Sequence, residues 1–125
     1  MSGTTSCANG TAPKLIFACS GAADVGAVAD QSARKLTKDG VGRMFCLAGI
    51  GGRVQGIMAA TGSAAKILAI DGCPVNCAKH SLEQAGFGKY EHLQLSDLGM
   101  EKGKTSLTPD AIAKVAAAGA AKLAG

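Results

Sequence analysis

Three times along this chain a short apolar run stops at or beside a cysteine, meets glycine, and gives way to a helical pattern. Lys14-Leu-Ile-Phe-Ala-Cys19 ends at Ser20-Gly21, and Gly42-Arg-Met-Phe-Cys46-Leu is stopped by Gly49-Ile-Gly51-Gly52. Lys66-Ile-Leu-Ala-Ile70 runs into Asp71-Gly72-Cys73-Pro74. Apolar runs this short, bounded by turn residues, suit buried strands better than helices. Between the first two, residues 24–38 carry Val25, Val28, Ala29, Ala33 and Leu36 near helical spacing, with Asp24 placed to cap the start and Gly40 just past the end. Residues 53–61 put Val54, Ile57 and Met58 on one helical face.

After the third run, Pro74 suits a first helical turn, and Val75, Ala78, Leu82 and Ala85 form an apolar stripe ending at Gly86. Residues 90–95 alternate enough for a fourth, more exposed strand, and Thr108-Pro109-Asp110 opens an alanine-rich final helix. Strand and helix therefore alternate four times. The expected fold is α/β: a single domain with a small, mainly parallel sheet of about four strands, flanked by helices in a Rossmann-like three-layer arrangement. At 125 residues the chain suits one domain, over residues 13–125, and residues 1–12 read as a loose arm carrying Cys7.

Composition removes several function classes. The net charge is +4 with dispersed Lys and Arg, and the aromatic residues are only Phe17, Phe45, Phe87 and Tyr90. Nucleic-acid binders concentrate basic residues and add stacking platforms, so no nucleic-acid partner is expected. No run approaches the ~18–20 apolar residues of a membrane span, and no signal-peptide pattern is visible, so no membrane role is expected and a cytoplasmic location is. A reducing compartment disfavours structural disulfides, which leaves metal or redox chemistry as the use of five cysteines.

Their positions sharpen this. Cys19, Cys46 and Cys73 fall at the ends of three expected strands, and Cys77 follows Cys73 by one helical turn. In a parallel sheet those ends share one edge, where α/β proteins build their sites. Four converging thiols suit a tetrathiolate zinc site, one ion per chain, with Zn–S near ~2.3 Å. The same ligands suit an iron–sulfur cluster. A thiol–disulfide redox protein or thiol carrier using Cys73 and Cys77 is the alternative, with Cys73 activated by a helix N-terminus, although three residues separate the pair rather than two. The blandest account makes all four small buried hydrophobes.

Other groups carry less. Gly49, Gly51 and Gly52 lack the third glycine of a dinucleotide loop, since position 54 is Val54; they suit a tight strand-to-helix turn, or a nest of N–H groups for a small anionic ligand. Asp71 serves the turn or acts as a base beside a metal. His80, one turn after Cys77, reads as a residue supporting the ligands from behind or as a surface residue, and His92 as solvent-facing. Arg53 and Lys79 sit in first helical turns, where a cation opposes the helix dipole. Ser20 has no evident His and Asp partners, so no catalytic residue emerges.

Cys19-Ser-Gly-Ala-Ala-Asp-Val-Gly26, Cys46-Leu-Ala-Gly-Ile-Gly-Gly52 and Asp71-Gly-Cys-Pro-Val-Asn-Cys77-Ala-Lys79 together resemble the DGC-domain family, named for its Asp-Gly-Cys tripeptide. The resemblance runs from about Lys14 to Val115. It implies zinc binding by four characteristic cysteines, which fall here on Cys19, Cys46, Cys73 and Cys77. It implies no established reaction.

Overall fold

The computed structural model describes residues 12–125. The expected arm, with Cys7, lies almost wholly outside the described residues. Among the described residues there are four strands, β1 (Lys14–Ala18), β2 (Arg43–Met44), β3 (Lys66–Asp71) and β4 (Glu91–Gln94). The helices are α1 (Asp24–Lys38), α2 (Leu47–Gly51), α3 (Gln55–Gly62), α4 (Cys77–Gln84) and α5 (Pro109–Leu123), with a 3₁₀ turn at Leu95–Leu98. The sheet has the order β2-β1-β3-β4 and every pairing is parallel.

Strand residues point alternately to the two faces, and both faces are covered. Ile16, Ala18, Leu68 and Ile70 pack with Val25, Val28, Ala29 and Leu36 of α1 and with Val115 and Leu123 of α5. Leu15, Phe17, Ile67 and Ala69 pack on the other face with Ile50 of α2 and Ala78 and Leu82 of α4. The three-layer α/β expectation holds. α5 lies close over its face because Gly119 has no side chain: a Cβ there would stand 3.0 Å from Leu36 Cδ1 and 3.2 Å from Leu68 Cδ2. Thr108 caps α5 by accepting from the Ala111 amide at 3.1 Å. At its far end Lys14 donates to the Leu123 carbonyl at 2.6 Å and Lys66 to that of Ala124 at 2.9 Å. Cations are well placed there, against the negative end of the helix dipole.

Several local expectations change. β2 is only two residues long, extended by one further hydrogen bond from the Phe45 amide to the Ile16 carbonyl at 2.8 Å. The glycine segment after Cys46 is helix α2 rather than a turn or an anion nest. Gly49 is needed there because a Cβ would lie 2.2 Å from Ile57 Cδ1, so α3 crosses directly over it. Arg53 precedes α3 with φ 58, and its guanidinium bonds the carbonyls of Ile50 at 2.7 Å and Gln84 at 3.1 Å. Its charge therefore meets the C-terminal ends of α2 and α4, which it stabilises rather than opposes. Asp24 is the first residue of α1, not its cap. Its carboxylate instead accepts the amides of Gly103 and Thr105, both at 2.9 Å.

Candidate functional site

The chain leaves β1 to form β2 on one side and then β3 on the other, so the direction of winding reverses between β1 and β3. Open parallel sheets place their sites outside the strand ends at such a point. Here the turns after β1 and β3 are locked together. The Cys19 amide bonds the Ile70 carbonyl at 3.0 Å, and the Gly72 amide points at Cys19 Sγ at 3.4 Å. A Cβ on Gly72 would lie 2.7 Å from the Val25 carbonyl carbon and oxygen, and one on Gly26 would lie 2.5 Å from the Gly21 oxygen. Both contacts are to backbone, so only glycine permits this approach.

Asp71 closes the arrangement from beneath. Its side chain is 1% exposed and accepts the amides of Ala78 at 2.7 Å and Lys79 at 3.1 Å, the second and third residues of α4. Asn76 precedes that helix in the left-handed conformation, with φ 58 and ψ 49, and makes no side-chain cap. A carboxylate from the neighbouring strand end thus does the capping that the local sequence lacks. The helix starts at Cys77 rather than Pro74, so Cys73 and Cys77 do not share a helical face. Cys73 lies in the turn and Cys77 opens the helix. Val75, expected in the apolar stripe, is 61% exposed for the same reason. Lys79 does sit in the first turn, and its backbone amide is one of the two that Asp71 accepts.

None of the four described cysteines is disulfide-bonded or fully buried: Cys19 and Cys73 are half-buried, Cys46 and Cys77 exposed. Cys19 and Cys73 pack in part against the core on the α1 and α5 face, whereas Cys46 and Cys77 are open to solvent. The Cys77 thiol is pushed above its ordinary value, first by desolvation and then by the negative charges of Asp71, Cys19 and Cys73. A helix N-terminus by itself would lower a thiol pKa, so desolvation, helped by the nearby negative charges, outweighs it. Cys46, the residue before α2, lines with Cys19 an open cavity of about 780 Å³ on the β1–β2 side of the edge.

Two polar groupings beside the thiols were not legible from the sequence. His92, expected to face solvent, is half-buried and its Nε2 lies 2.9 Å from Asp71 Oδ2. The signal was the register: His92 pairs with Ala69, so it shares a sheet face with Asp71 two residues further on. Ser20, with φ 50, donates to Asp30 Oδ1 at 2.8 Å, and Arg34 Nε donates to Asp30 Oδ2 at 2.8 Å. Burial raises the Asp30 pKa, but those two hydrogen bonds and the Arg34 charge outweigh it and leave the carboxyl below its usual range. His80 is exposed, 3.9 Å from Glu83, as a surface residue should be.

Among the described residues no three His, Cys, Asp or Glu side chains already converge closely enough to hold a metal ion. The donor chemistry nevertheless suits a soft divalent cation, since four thiols occupy three turns of one edge. A closed sulfur sphere requires them to draw together, and the two exposed cysteines have room to move.

A parallel α/β domain whose switch point carries thiols and a buried Asp-Gly turn is a narrow class. The DGC domain model matches residues 15–118, a span holding all four of these cysteines, and the chain belongs to that family. It is 38% identical over 88 residues to the anaerobic and virulence modulator AnvM of Pseudomonas aeruginosa, covering 70% of this chain and 67% of that protein. No solved structure gives a significant match. Among the described residues no helix is long and apolar enough to cross a membrane.

Proposed function

We propose that this protein is a thiolate metal-binding protein, with zinc held by Cys19, Cys46, Cys73 and Cys77 at the C-terminal edge of the sheet. The observation that carries this reading is that four cysteines outside any disulfide follow three neighbouring strands at one sheet edge, the β1 and β3 turns being fixed by Gly26, Gly72 and Asp71. Zinc there would supply positive charge to thiolates that otherwise repel one another, and a sphere filled by sulfur leaves no position for an activated water. The role is therefore structural or sensing rather than hydrolytic. The name of the relative, a modulator, is compatible with a sensing role.

The redox alternative makes Cys73 the attacking thiol and Cys77 its resolving partner; Cys73 lies in the turn rather than inside the first turn of α4, away from the helical position that would activate it. An iron–sulfur cluster would use the same thiols and is distinguished by visible absorption. The test is a thiol titration of native protein before and after a strong chelator. Four thiols that become reactive only with chelator support the metal reading. Four thiols equally reactive throughout overturn it, and reversible loss of two on mild oxidation transfers the assignment to the Cys73/Cys77 redox pair.

A further inference from the structure

Beside the thiols, the cavity between Cys19 and Cys46 has features that metal ligation does not use. It is open to solvent, holds about 780 Å³, and combines an apolar wall, including Phe45, with Ser20, Asp30 and Arg34. That volume falls in the range of small-molecule sites. Arg34 reaches it from α1, and its Nε is fixed by Asp30 at 2.8 Å. Its two terminal nitrogens have no hydrogen-bond partner among the described residues. With Nε engaged by Asp30 and the side chain 62% exposed, the two terminal nitrogens present a planar, solvent-open fork, a geometry that matches a planar carboxylate.

The charge balance narrows the class further. Arg34 is already paired with Asp30, so a dianion such as phosphate would meet the Asp30 carboxylate, whereas a monoanion meets a near-neutral pair. The apolar wall suits a hydrocarbon body. From these observations we infer that the cavity binds a small monocarboxylate with an apolar body, its carboxylate on Arg34 and its body against Phe45 beside the Cys19 and Cys46 thiols. This rests on the metal reading only in taking the same sheet edge as the functional one; it needs no bound metal.

The test uses full-length protein kept metal-free with chelator, so that it stands or falls apart from zinc binding. Each cysteine is alkylated with iodoacetate, a monocarboxylate, and separately with iodoacetamide, its neutral counterpart, and the rates are read by peptide mass spectrometry. In both reactions sulfur attacks the CH₂ carbon, an S–C bond replaces the C–I bond, iodide leaves, and the thiol proton goes to buffer. Taking the ratio of the two rates at one cysteine cancels its own pKa. Carboxylate recruitment by Arg34 should raise that ratio at Cys19 and Cys46 by about threefold to fivefold over the ratio at the same cysteine in Arg34→Gln. Butyrate should slow the iodoacetate reaction of the wild type at these two sites while phosphate does not. An unchanged ratio at Cys19 and Cys46 in Arg34→Gln, or protection by phosphate but not butyrate, overturns the proposal. The competition arm uses only wild-type protein, so it decides the matter even if the variant misfolds.

Discussion

Asp71 Oδ2 and His92 Nε2 lie 2.9 Å apart, joining the end of β3 to the middle of β4 directly beneath the helix that Cys77 opens. The same carboxylate accepts two α4 amides, so one buried group sets where the strand, the helix and the edge strand meet. The Asp-Gly-Cys tripeptide thereby divides its labour. Asp71 anchors α4, Gly72 lets the turn touch α1, and Cys73 is left half-buried at the edge.

Asp71→Asn keeps the shape but turns an N–H group toward at least one donor. Leaving a buried donor without an acceptor costs roughly 1–3 kcal/mol. The urea midpoint should fall with an unchanged slope. Cys77 alkylation should also accelerate, because its helix is released and a nearby negative charge is removed. His92→Ala removes only one of the three contacts and should cost less.

Gly72→Ala places a methyl group 2.7 Å from Val25 backbone, which cannot yield as a side chain tip would. Overpacking of this kind costs about 1–3 kcal/mol, and the Cys19–Gly72 contact should be lost with it. Gly51→Ala is the control. Nothing lies within 4 Å of its added methyl and the residue is helical, so stability should hold or rise by up to about 1 kcal/mol.

Asp24 is held below its usual pKa, chiefly by the Gly103 amide and then by that of Thr105. A carboxyl lowered in the folded state contributes stability that is present above its unfolded pKa and is lost as pH falls through the folded value. The unfolded reference is 3.8, so the contribution should fade below that pH. Amide exchange at Gly103 and Thr105, corrected for intrinsic rates, should accelerate over that acidic window. In Asp24→Asn it should already be fast at neutral pH.

Cys77 is shifted the opposite way, so its alkylation in metal-free protein should have its midpoint above the ordinary thiol value of 9.0. A bound cation would reverse the repulsion that contributes to this shift. Adding zinc should make Cys77 release its proton at lower pH, measurable as protons liberated at neutral pH, while the sulfur becomes less reactive.

Much of this was written in the sequence and some could not be. The runs 14–18 and 66–70 and the periodicity of residues 24–38 determine β1, β3 and α1 because each buries a continuous apolar face. Gly49 misled because a glycine needed for close helix packing beneath Ile57 looks in sequence like a glycine that ends a strand. Pro74 misled in the same manner: its local preference for a first helical turn yields to Asp71, which caps the helix three residues later from another element. His92 could be placed only through the β3–β4 register; the Asp30–Arg34 pair follows from i,i+4 spacing on α1, but its link to Ser20 only from the β1–α1 turn. The strand-end cysteines were legible because topology alone puts them on one edge.

Zinc held by these four cysteines would show directly in the metal content of the protein. Elemental analysis of protein purified without added metal should find about one zinc per chain, as a single four-coordinate site requires. The content should drop sharply in Cys19→Ser, Cys46→Ser, Cys73→Ser and Cys77→Ser, each shown to be folded, and stay unchanged in Cys7→Ser. Protein without zinc, or zinc retained by all four variants, would contradict the account.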